Sequence, residues 1–340
     1  MRKLEGFQKG VNLGGWFSQL WENSEENYRS FITESDFEKI ASWGMDHVRV
    51  PVDYTLVETE EGSYKPEGFA HLDRCVQWCR KYHLNMILDL HETAGYSFDR
   101  PGDSKGFFDD LPLQDRFCAL WTQFAKRYGK DSDMIAFELL NEIVDPSVAQ
   151  KWNGIARRAV ETIRQDAPDT WILIGGILYN NVTAIKLLDP PYDDHIVYNF
   201  HCYEPMLFTH QGAGWIDCMP HDFRISYPGT TKDYDNCMKE LGLPHFFSPA
   251  GTEELGAAYF DSLFSEAVAV AQERNVPLYC GEYGVIDRAD LDATLAWFRD
   301  IHSIFEKYGI GHAAWNYKER DYGLIGEHYA PILDELLKVL

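Results

Sequence analysis

Two glutamates stand at the ends of apolar, strand-like runs, where their carboxyl groups could take part in acid–base or nucleophilic chemistry. The run 137–140 leads into Asn141 and Glu142, and the run 276–280 leads through Gly281 into Glu282. Burying an unpaired carboxylate costs on the order of several kcal/mol, so acids at such positions indicate a role. Two carboxyl groups facing each other across a cleft can cleave a glycosidic bond, and we predict that chemistry here.

The bulk composition limits the classes of protein and partner. With 340 residues, 45% hydrophobic and 14% aromatic, the chain can bury a large core, and an α/β barrel of this length forms one domain. The net charge of −23 argues against nucleic acid and anionic membranes as partners. There is no signal-peptide pattern and no apolar run of about 20 residues, and the compartment stays open between cytoplasmic and secreted. We expect a monomer without structural disulfides, in which the spaced thiols Cys75 and Cys79 are core residues rather than metal ligands.

Apolar runs alternate with amphipathic ones along the whole chain. The predicted strands are 11–16, 45–52, 84–91, 134–142, 171–177, 195–203, 276–284 and 310–317. Most are continuously apolar, as parallel strands covered on both faces are. Eight strands, each followed by a helix, predict a (β/α)8 TIM barrel. An open doubly wound sheet is the alternative, but it would need a glycine-rich phosphate turn, and Gly14 with Gly15 is not one.

The helical patterns lie between these strands. They cover 33–44, 66–83, 112–128, 147–166, 182–188, 255–275, 290–308 and 331–339, and 182–188 is the weakest of them. Ser35 and Glu38 have capping-box spacing at the first of these helices.

One connection is much longer than the others. Residues 204–254 follow strand six and contain many aromatic, Gly and Pro residues without a convincing strand or long helix. Loops beyond about 12–15 residues in compact domains are usually functional. We predict a single catalytic domain, 1–340, in which 204–254 is an inserted subdomain that walls one side of a cleft.

Polar and aromatic side chains recur at the carboxyl ends of the predicted strands, where barrel active sites form. The set, in chain order, is Trp16, Arg49, His91, Glu92, Asn141, Glu142, His201, Tyr203, Glu282, Tyr283, Trp315 and Tyr317. A single residue of this kind is weak evidence, whereas a set that converges on one end of the barrel predicts a site.

Glycosidic hydrolysis needs one carboxyl group protonated and the other ionised at the same pH. Glu282 would stay ionised beside Arg49 and either Tyr203 or Tyr283, whereas Glu142 needs a raised pKa to act as acid and then as base. A neutral amide such as Asn141 can hold a sugar hydroxyl, and a flat ring such as Trp315 suits the apolar face of a pyranose.

Several of these residues could instead have purely structural roles. Arg49 could pair with Asp46 or Asp53, and Glu138 lies deeper on the same strand face as Glu142 and could be the acid. His91, His201 and Trp315 could each be ordinary buried residues of the core. A divalent ion held by His91, Glu92, His201 and Glu282 is the chemical alternative. Metal-dependent barrel hydrolases usually carry a His-x-His on the first strand, and 11–15 has no ligand, so we predict no metal.

The motifs together resemble one family. The pieces are Asn12-Leu13-Gly14-Gly15-Trp16, Val48-Arg49-Val50-Pro51, Leu88-Asp89-Leu90-His91, Phe137-Glu138-Leu139-Leu140-Asn141-Glu142, Asn199-Phe200-His201-Cys202-Tyr203, Gly281-Glu282-Tyr283-Gly284 and Ala314-Trp315-Asn316-Tyr317. In this order, over nearly the whole chain, they resemble glycoside hydrolase family 5, the cellulase family of the retaining clan A. The insertion resembles that of its compact endoglucanases.

The resemblance implies residue roles, β-glycosidic cleavage with retention, and no cofactor. By position, Glu142 would be the acid/base and Glu282 the nucleophile, with Arg49 and Tyr203 holding Glu282. The sugar being cleaved would contact His91, Asn141, His201 and Trp315. Glu92 departs from the pattern, since many relatives have a second histidine there; an acid could bind a sugar hydroxyl or raise a neighbouring pKa. We also place Trp16 among the substrate contacts.

Our leading hypothesis is a retaining endo-β-1,4-glucanase that hydrolyses soluble β-glucans, of the cellulose or mixed-linkage type, by double displacement. The alternatives are a β-mannanase or glucomannanase and a β-1,3-glucan-active glycosidase on the same scaffold. A binding protein that has lost catalysis is a third, but it would lack one of the two glutamates. Retention predicts carboxyl groups about 5–5.5 Å apart, against about 6.5–9.5 Å for inversion.

Overall fold

A closed eight-stranded parallel barrel, with the strands in chain order, forms the centre of the molecule. The computed structural model describes residues 1–20, 24–99, 106–244, 246–248 and 250–340. The strands are β1 (Lys9–Asn12), β2 (His47–Asp53), β3 (Asn85–Glu92), β4 (Ile135–Glu138), β5 (Ile172–Gly175), β6 (Ile196–Cys202), β7 (Leu278–Tyr283) and β8 (Gly311–Ala314). The predicted (β/α)8 barrel is confirmed, with every strand inside or overlapping a predicted run.

Helices cover the outside of the barrel. They are α1 (Glu25–Ser30), α2 (Glu34–Ser42), α3 (Pro66–Tyr82), α4 (Leu111–Tyr128), α5 (Ala149–Ile163), α6 (Ile177–Asn180), α7 (Met206–Thr209), α8 (Thr231–Leu241), α9 (Ala257–Glu273), α10 (Leu291–Tyr308) and α11 (Leu333–Leu337). Cys75 and Cys79 are buried on α3, as predicted. Among the described residues, none of these helices is both long enough and apolar enough to span a bilayer.

Two local predictions are corrected. The connection from β5 to β6 holds no full α-helix: after the single turn of α6, in which Leu178 and Tyr179 have left-handed backbone angles, the chain forms a 3-10 helix over Val182–Leu187. The capping box of α2 is formed by Thr33 and Asp36, not by Ser35 and Glu38. Thr33 precedes the first helical residue, and only that position leaves the side chain free to accept from the N3 amide.

The long connection after β6 is more ordered than the sequence indicated. Apart from residues 245 and 249, which lie outside the described part, 204–254 contains the four-residue helix α7 and the eleven-residue helix α8. The prediction of no long helix was therefore wrong. Thr230 caps α8 and pairs in a β-bridge with Glu254, so the two ends of the second half of the segment meet. Tyr234 and Phe247 pack together and tie α8 to the rest of the segment.

Apolar residues fill the lower half of the barrel interior. One inward-facing layer from six strands packs with the N-terminal segment: Leu4, Phe7, Ile87, Ala136, Leu173, Val197, Tyr279 and Ala313. Side chains alternate faces along a strand, so the next inward position lies two residues further on. Those positions carry Asp89, Glu138, Gly175, Asn199 and Gly281. The barrel therefore changes from apolar to polar toward the carboxyl ends of its strands.

Candidate active site

Arg49 is the centre of the buried polar layer and has no exposed surface. Its Nε and Nη2 donate to the two oxygens of Glu138 at 2.7 and 2.8 Å, and its Nη1 donates to Glu282 Oε1 at 2.7 Å. Nη2 also forms an ion pair with Asp89 Oδ2 at 2.9 Å. One guanidinium thus serves three carboxyl groups, and the interpretation that Arg49 pairs with Asp46 or Asp53 does not hold.

The remaining donors of Arg49 are used by two amides. Nη1 donates to Asn12 Oδ1 at 2.9 Å and Nη2 to Asn141 Oδ1 at 3.0 Å. Asn12 in turn donates to the carbonyl oxygens of Gly281 and Ala313 at 2.9 and 3.0 Å, which joins β1 to β7 and β8. This network fixes the plane of the guanidinium and the orientation of the Asn141 amide.

Glu142 and Glu282 approach each other across the mouth of the barrel. One carboxylate oxygen from each glutamate and a ring nitrogen of His201 all lie within 4.8 Å of one another. His201 Nδ1 is 2.7 Å from Glu142 Oε1, and Tyr203 donates its hydroxyl to Glu282 Oε2 at 3.0 Å. This approach brings both carboxyl groups within reach of one glycosidic bond, as a two-carboxylate glycosidase requires.

The two carboxyl groups differ in their surroundings. Burial, then the negative charge of Glu282, raises the pKa of Glu142 well above its usual range. Burial also raises the pKa of Glu282, but the positive charge of Arg49 counteracts that effect. No cation lies as close to Glu142 among the described residues, so the surroundings favour the protonated form of Glu142 over that of Glu282. That division of protonation is what an acid and a nucleophile require.

Two histidines beside the pair are held neutral. Burial lowers the pKa of His91 to about 4 and that of His201 well below its usual range. His91 Nδ1 lies 2.6 Å from Asp89 Oδ2, and its Nε2 faces the Asn141 amide at 3.5 Å. His201 Nε2 faces the amide nitrogen of Asn180 at 3.4 Å, so its proton lies on Nδ1 and points to Glu142.

Trp315 forms one wall of the site. Its ring is parallel to that of His91, with ring centroids 6.1 Å apart. Gly14 leaves space for this ring, because a Cβ there would lie 2.4 Å from the indole. Asn316 exchanges two hydrogen bonds with the backbone of Gly14, at 2.9 and 3.0 Å, and holds the two loops together.

Two predicted residues have positions that differ from the expectation. Trp16 is fully buried outside the barrel, stacked on Phe17 and Trp78 with its indole nitrogen donating to Tyr28, which corrects its prediction as a substrate contact. Tyr283 points away from the site, with its hydroxyl 2.9 Å from His302 Nε2, so Tyr203 and not Tyr283 holds Glu282.

Glu92 is buried at the end of β3, where it accepts a hydrogen bond from the Ser97 hydroxyl within its own loop. Its negative charge lies near His91 and raises the pKa of that ring, against the larger effect of burial. Its role as a substrate contact therefore stays a prediction.

The residues that lie close enough together to share a metal ion are not the predicted set. Among the described residues, the group close enough to share an ion is Glu142, His201 and Glu282, rather than the predicted set with His91 and Glu92. These three can ligate a divalent ion only by giving up the proton that lies between them. The absence of a metal requirement stays a prediction.

Several supporting residues were not predicted from the sequence. Asn12, Asp89 and Asn199 are buried and bond to the predicted residues, and Tyr96 donates its hydroxyl to the Glu142 carbonyl at 2.9 Å. Asp89 and Asn199 each precede a predicted histidine by two residues. The alternation of a strand would therefore have indicated them.

A closed (β/α)8 barrel with two facing carboxyl groups beyond the carboxyl ends of β4 and β7 is the arrangement of a two-carboxylate glycosidase. The model of the family described as "Cellulase (glycosyl hydrolase family 5)" matches residues 5–321. The chain therefore belongs to glycosyl hydrolase family 5, the cellulase family.

Curated relatives agree with this membership. Cellodextrinase A of Ruminococcus flavefaciens is 43% identical over 310 residues, covering 91% of this chain and 85% of that protein. Endoglucanase C of Acetivibrio thermocellus is 39% identical over 340 residues, covering 99% and 98%. The crystal structure of the endoglucanase Cel5A from Thermotoga maritima superposes with a TM-score of 0.77 at 22% identity, over 98% of this chain and 97% of that one, and so supports the fold.

Proposed function

We propose that this enzyme is a retaining endo-β-1,4-glucanase that hydrolyses soluble β-glucans and their oligosaccharides. The observation that carries the proposal is the pair Glu142 and Glu282: oxygens of the two lie within 4.8 Å, Arg49 and Tyr203 donate to Glu282, and His201 lies beside Glu142. The names of the two relatives, an endoglucanase and a cellodextrinase, support a β-1,4-glucan as substrate.

In the first step, Glu282 attacks the anomeric carbon of the sugar as an ionised carboxylate. Arg49 and Tyr203 bind its two oxygens and hold it in line. Glu142 gives its proton to the glycosidic oxygen while the C–O bond breaks, so the leaving chain departs as a neutral alcohol. Asn141 and His91 lie beside the reacting sugar and can bind its hydroxyls.

In the second step, Glu142, now ionised, removes a proton from a water molecule that attacks the anomeric carbon. The bond to Glu282 breaks and the carboxylate is regenerated, so two inversions give net retention. The His201 Nδ1 proton points to Glu142 and stabilises its ionised form between the two steps.

A preference for short oligosaccharides is the second candidate function. It is favoured by the cellodextrinase, whose 43% identity exceeds the 39% of the endoglucanase. Both relatives would share the mechanism, and the difference lies in how many sugars the cleft binds on either side of the pair. Mannan and β-1,3-glucan are retained as alternative substrates.

The test is release of reducing sugar from carboxymethylcellulose, mixed-linkage β-glucan, cellopentaose, glucomannan, galactomannan and laminarin. Activity on the first two that is lost in Glu282→Gln supports the endoglucanase. Activity confined to cellopentaose supports the cellodextrinase. Activity only on mannans or laminarin would overturn the substrate but keep the mechanism.

Monomeric state and independence from metal ions belong to the same proposal. Sedimentation equilibrium is expected to give the mass of one chain. Dialysis against a chelator is expected to leave the specific activity unchanged, and loss restored by a divalent ion would contradict this.

A further inference from the structure

We propose that Glu138 is a positioning residue for Glu282, acting on its carboxylate through Arg49 and on its backbone through Asn199. The inference rests on the proposed function, because it assigns a role within the same reaction. Glu138 is fully buried below the catalytic pair and has no surface with which to touch a sugar. Its influence on the reaction must pass through the residues that it binds.

The first route runs through the guanidinium of Arg49. The two oxygens of Glu138 accept from Nε and Nη2 at 2.7 and 2.8 Å, which is a two-pronged contact along one edge of the planar group. Two such bonds fix the plane and its rotation, whereas a single bond would leave both free. The opposite corner, Nη1, then points at Glu282 Oε1 at 2.7 Å.

The second route runs through the backbone of β7. Asn199 donates its amide to Glu138 Oε1 at 2.8 Å and accepts the amide proton of Gly281 with its Oδ1 at 3.0 Å. Gly281 immediately precedes Glu282, and a Cβ at Gly281 would lie 2.8 Å from Asn199 Oδ1. The side chain of Asn199 therefore fixes the position of the β7 backbone next to Glu282.

Charge distribution explains why a carboxylate is needed at position 138. Arg49 faces three acids, and without Glu138 only its single bonds to Asn12 and Asn141 oppose a rotation that would let the guanidinium bind both oxygens of Glu282 or of Asp89. A two-pronged grip on Glu282 would displace Tyr203 from Oε2 and turn the nucleophile away from the anomeric carbon. Glu138 accepts hydrogen bonds from Nε and Nη2 of Arg49, so Glu282 receives a single directed hydrogen bond from Nη1.

Trapping of the covalent intermediate isolates the step in which Glu282 reacts. The probe is 2,4-dinitrophenyl 2-deoxy-2-fluoro-β-cellobioside: the carboxylate forms a bond to the anomeric carbon, and the C–O bond breaks with dinitrophenolate taking the electron pair. No proton from Glu142 is required. The first-order trapping constant and the apparent binding constant are measured separately, from the burst of dinitrophenolate and the loss of activity.

The variant is Glu138→Gln, and its matched control is Glu58→Gln. Glutamine keeps the size but places an amide nitrogen against one donor of Arg49, so the fork loses an acceptor. Glu58 is also a buried glutamate paired with an arginine, since Arg116 Nε donates to it at 2.7 Å. Within the part of the chain that the structure describes, it has no hydrogen bond or ion pair with a residue of the site. Both variants bury an amide in place of a carboxylate.

We expect the trapping constant of Glu138→Gln to fall on the order of ten- to a hundred-fold with the binding constant little changed, because misplacement of a reacting group by about 1 Å costs rates of that size. Glu58→Gln should trap at the wild-type rate even if its Tm falls. An unchanged trapping constant in folded Glu138→Gln would overturn the inference, because a residue that only stabilises the fold alters Tm and not this constant.

Asn199→Ala gives a second measurement if Glu138→Gln does not fold. It removes the backbone route alone and should also slow trapping with little change in binding, whereas trapping at the wild-type rate would overturn that route. Failure of the proposed function has a different signature, since the wild-type enzyme itself would then not be trapped by a cellobiose-type probe.

Discussion

His201 is the residue that separates the two glutamates chemically. Its Nδ1 lies 2.7 Å from Glu142 Oε1 and 3.8 Å from Glu282 Oε2, and its low pKa keeps it neutral. A neutral donor can favour the ionised form of Glu142 after the first step without removing the proton needed before it. The acid/base function of Glu142 therefore depends on both its burial and this one hydrogen bond.

Removal of the acid/base is expected to be rescued by a small anion. Glu142→Ala should lose activity on polysaccharide but still form the intermediate from an activated aryl β-cellobioside, whose leaving group needs no proton. Added azide should then accelerate turnover severalfold and yield the β-cellobiosyl azide, measured by chromatography. No acceleration, or an α-azide, would contradict the assignment.

The pH profile tests the division of protonation. Glu142 acts only while protonated, so kcat/KM should fall as the pH rises through its raised pKa; Glu282 acts only when ionised, so kcat/KM should fall as the pH drops through its pKa. The wild type should give a bell-shaped profile. Glu142→Ala, assayed with the aryl cellobioside and azide, should lose the basic limb and keep the acidic limb. Retention of the basic limb would assign it to another group.

At the scale of elements, the loop after β1 explains the motif at residues 12–16. Asn12 joins Arg49 to β7 and β8, Gly14 leaves room for Trp315, and Gly15 takes a positive φ of 80°. Trp16 anchors the loop in the core by its bond to the Tyr28 carbonyl. The motif thus supports the site without contacting substrate, which sequence reasoning could not distinguish from a direct contact.

Gly14→Ala is expected to damage catalysis more than stability. The added Cβ would lie 2.4 Å from the Trp315 ring, so the ring must move and kcat/KM on cellopentaose should fall about ten-fold or more. Gly44→Ala is the control, because Gly44 has φ of 78° but open space around it. It should cost about 1 kcal/mol in the free energy of unfolding, with unchanged kinetics. Equal kinetics for the two variants would contradict the role given to Gly14.

A buried histidine pair connects β8 to α10. His312 and His302 have ring centroids 4.6 Å apart, and burial lowers the pKa of His312 to about 3. Its Nε2 has no hydrogen-bond partner among the described residues, and its ring stacks on Phe305 with centroids 4.7 Å apart. The folded barrel therefore binds no proton at His312 at a pH where the unfolded chain does.

This difference predicts how stability depends on pH. The unfolded chain takes up a proton below about pH 6.5, so the free energy of unfolding falls as the pH drops from there toward 3. His312→Leu removes that contribution. Between pH 7 and pH 5 its free energy of unfolding, measured by urea titration, should fall about 2 kcal/mol less than that of the wild type. Parallel curves would show that His312 does not titrate on unfolding.

For the whole molecule, the alternation of the strands divides the barrel into an apolar base and a polar top. The sequence was sufficient to predict the eight strands and the convergence of the two glutamates, because apolar runs and strand ends are local features. Glu138 was seen on the correct face, but its pairing with Arg49 depends on the register of β2, β3 and β4, which no single segment contains.

The regions that were predicted less well have weaker local signals. Helix α8 was missed because the surrounding Gly, Pro and aromatic residues obscured an eleven-residue amphipathic pattern. The 3-10 helix after β5 was predicted as an α-helix because so short a segment has too few apolar residues for their spacing to distinguish the two kinds of helix. Trp16 was misplaced because the strand ends at Asn12, four residues earlier than predicted.

The most direct test of the two-glutamate double displacement is the anomeric configuration of the first product. Hydrolysis of cellopentaose or mixed-linkage β-glucan is followed by proton NMR within minutes of adding enzyme, before mutarotation equilibrates the anomers. The account predicts that the β-anomer appears first and the α-anomer only later. An initial α-anomer would mean a single displacement by water and would contradict the role of Glu282 as nucleophile.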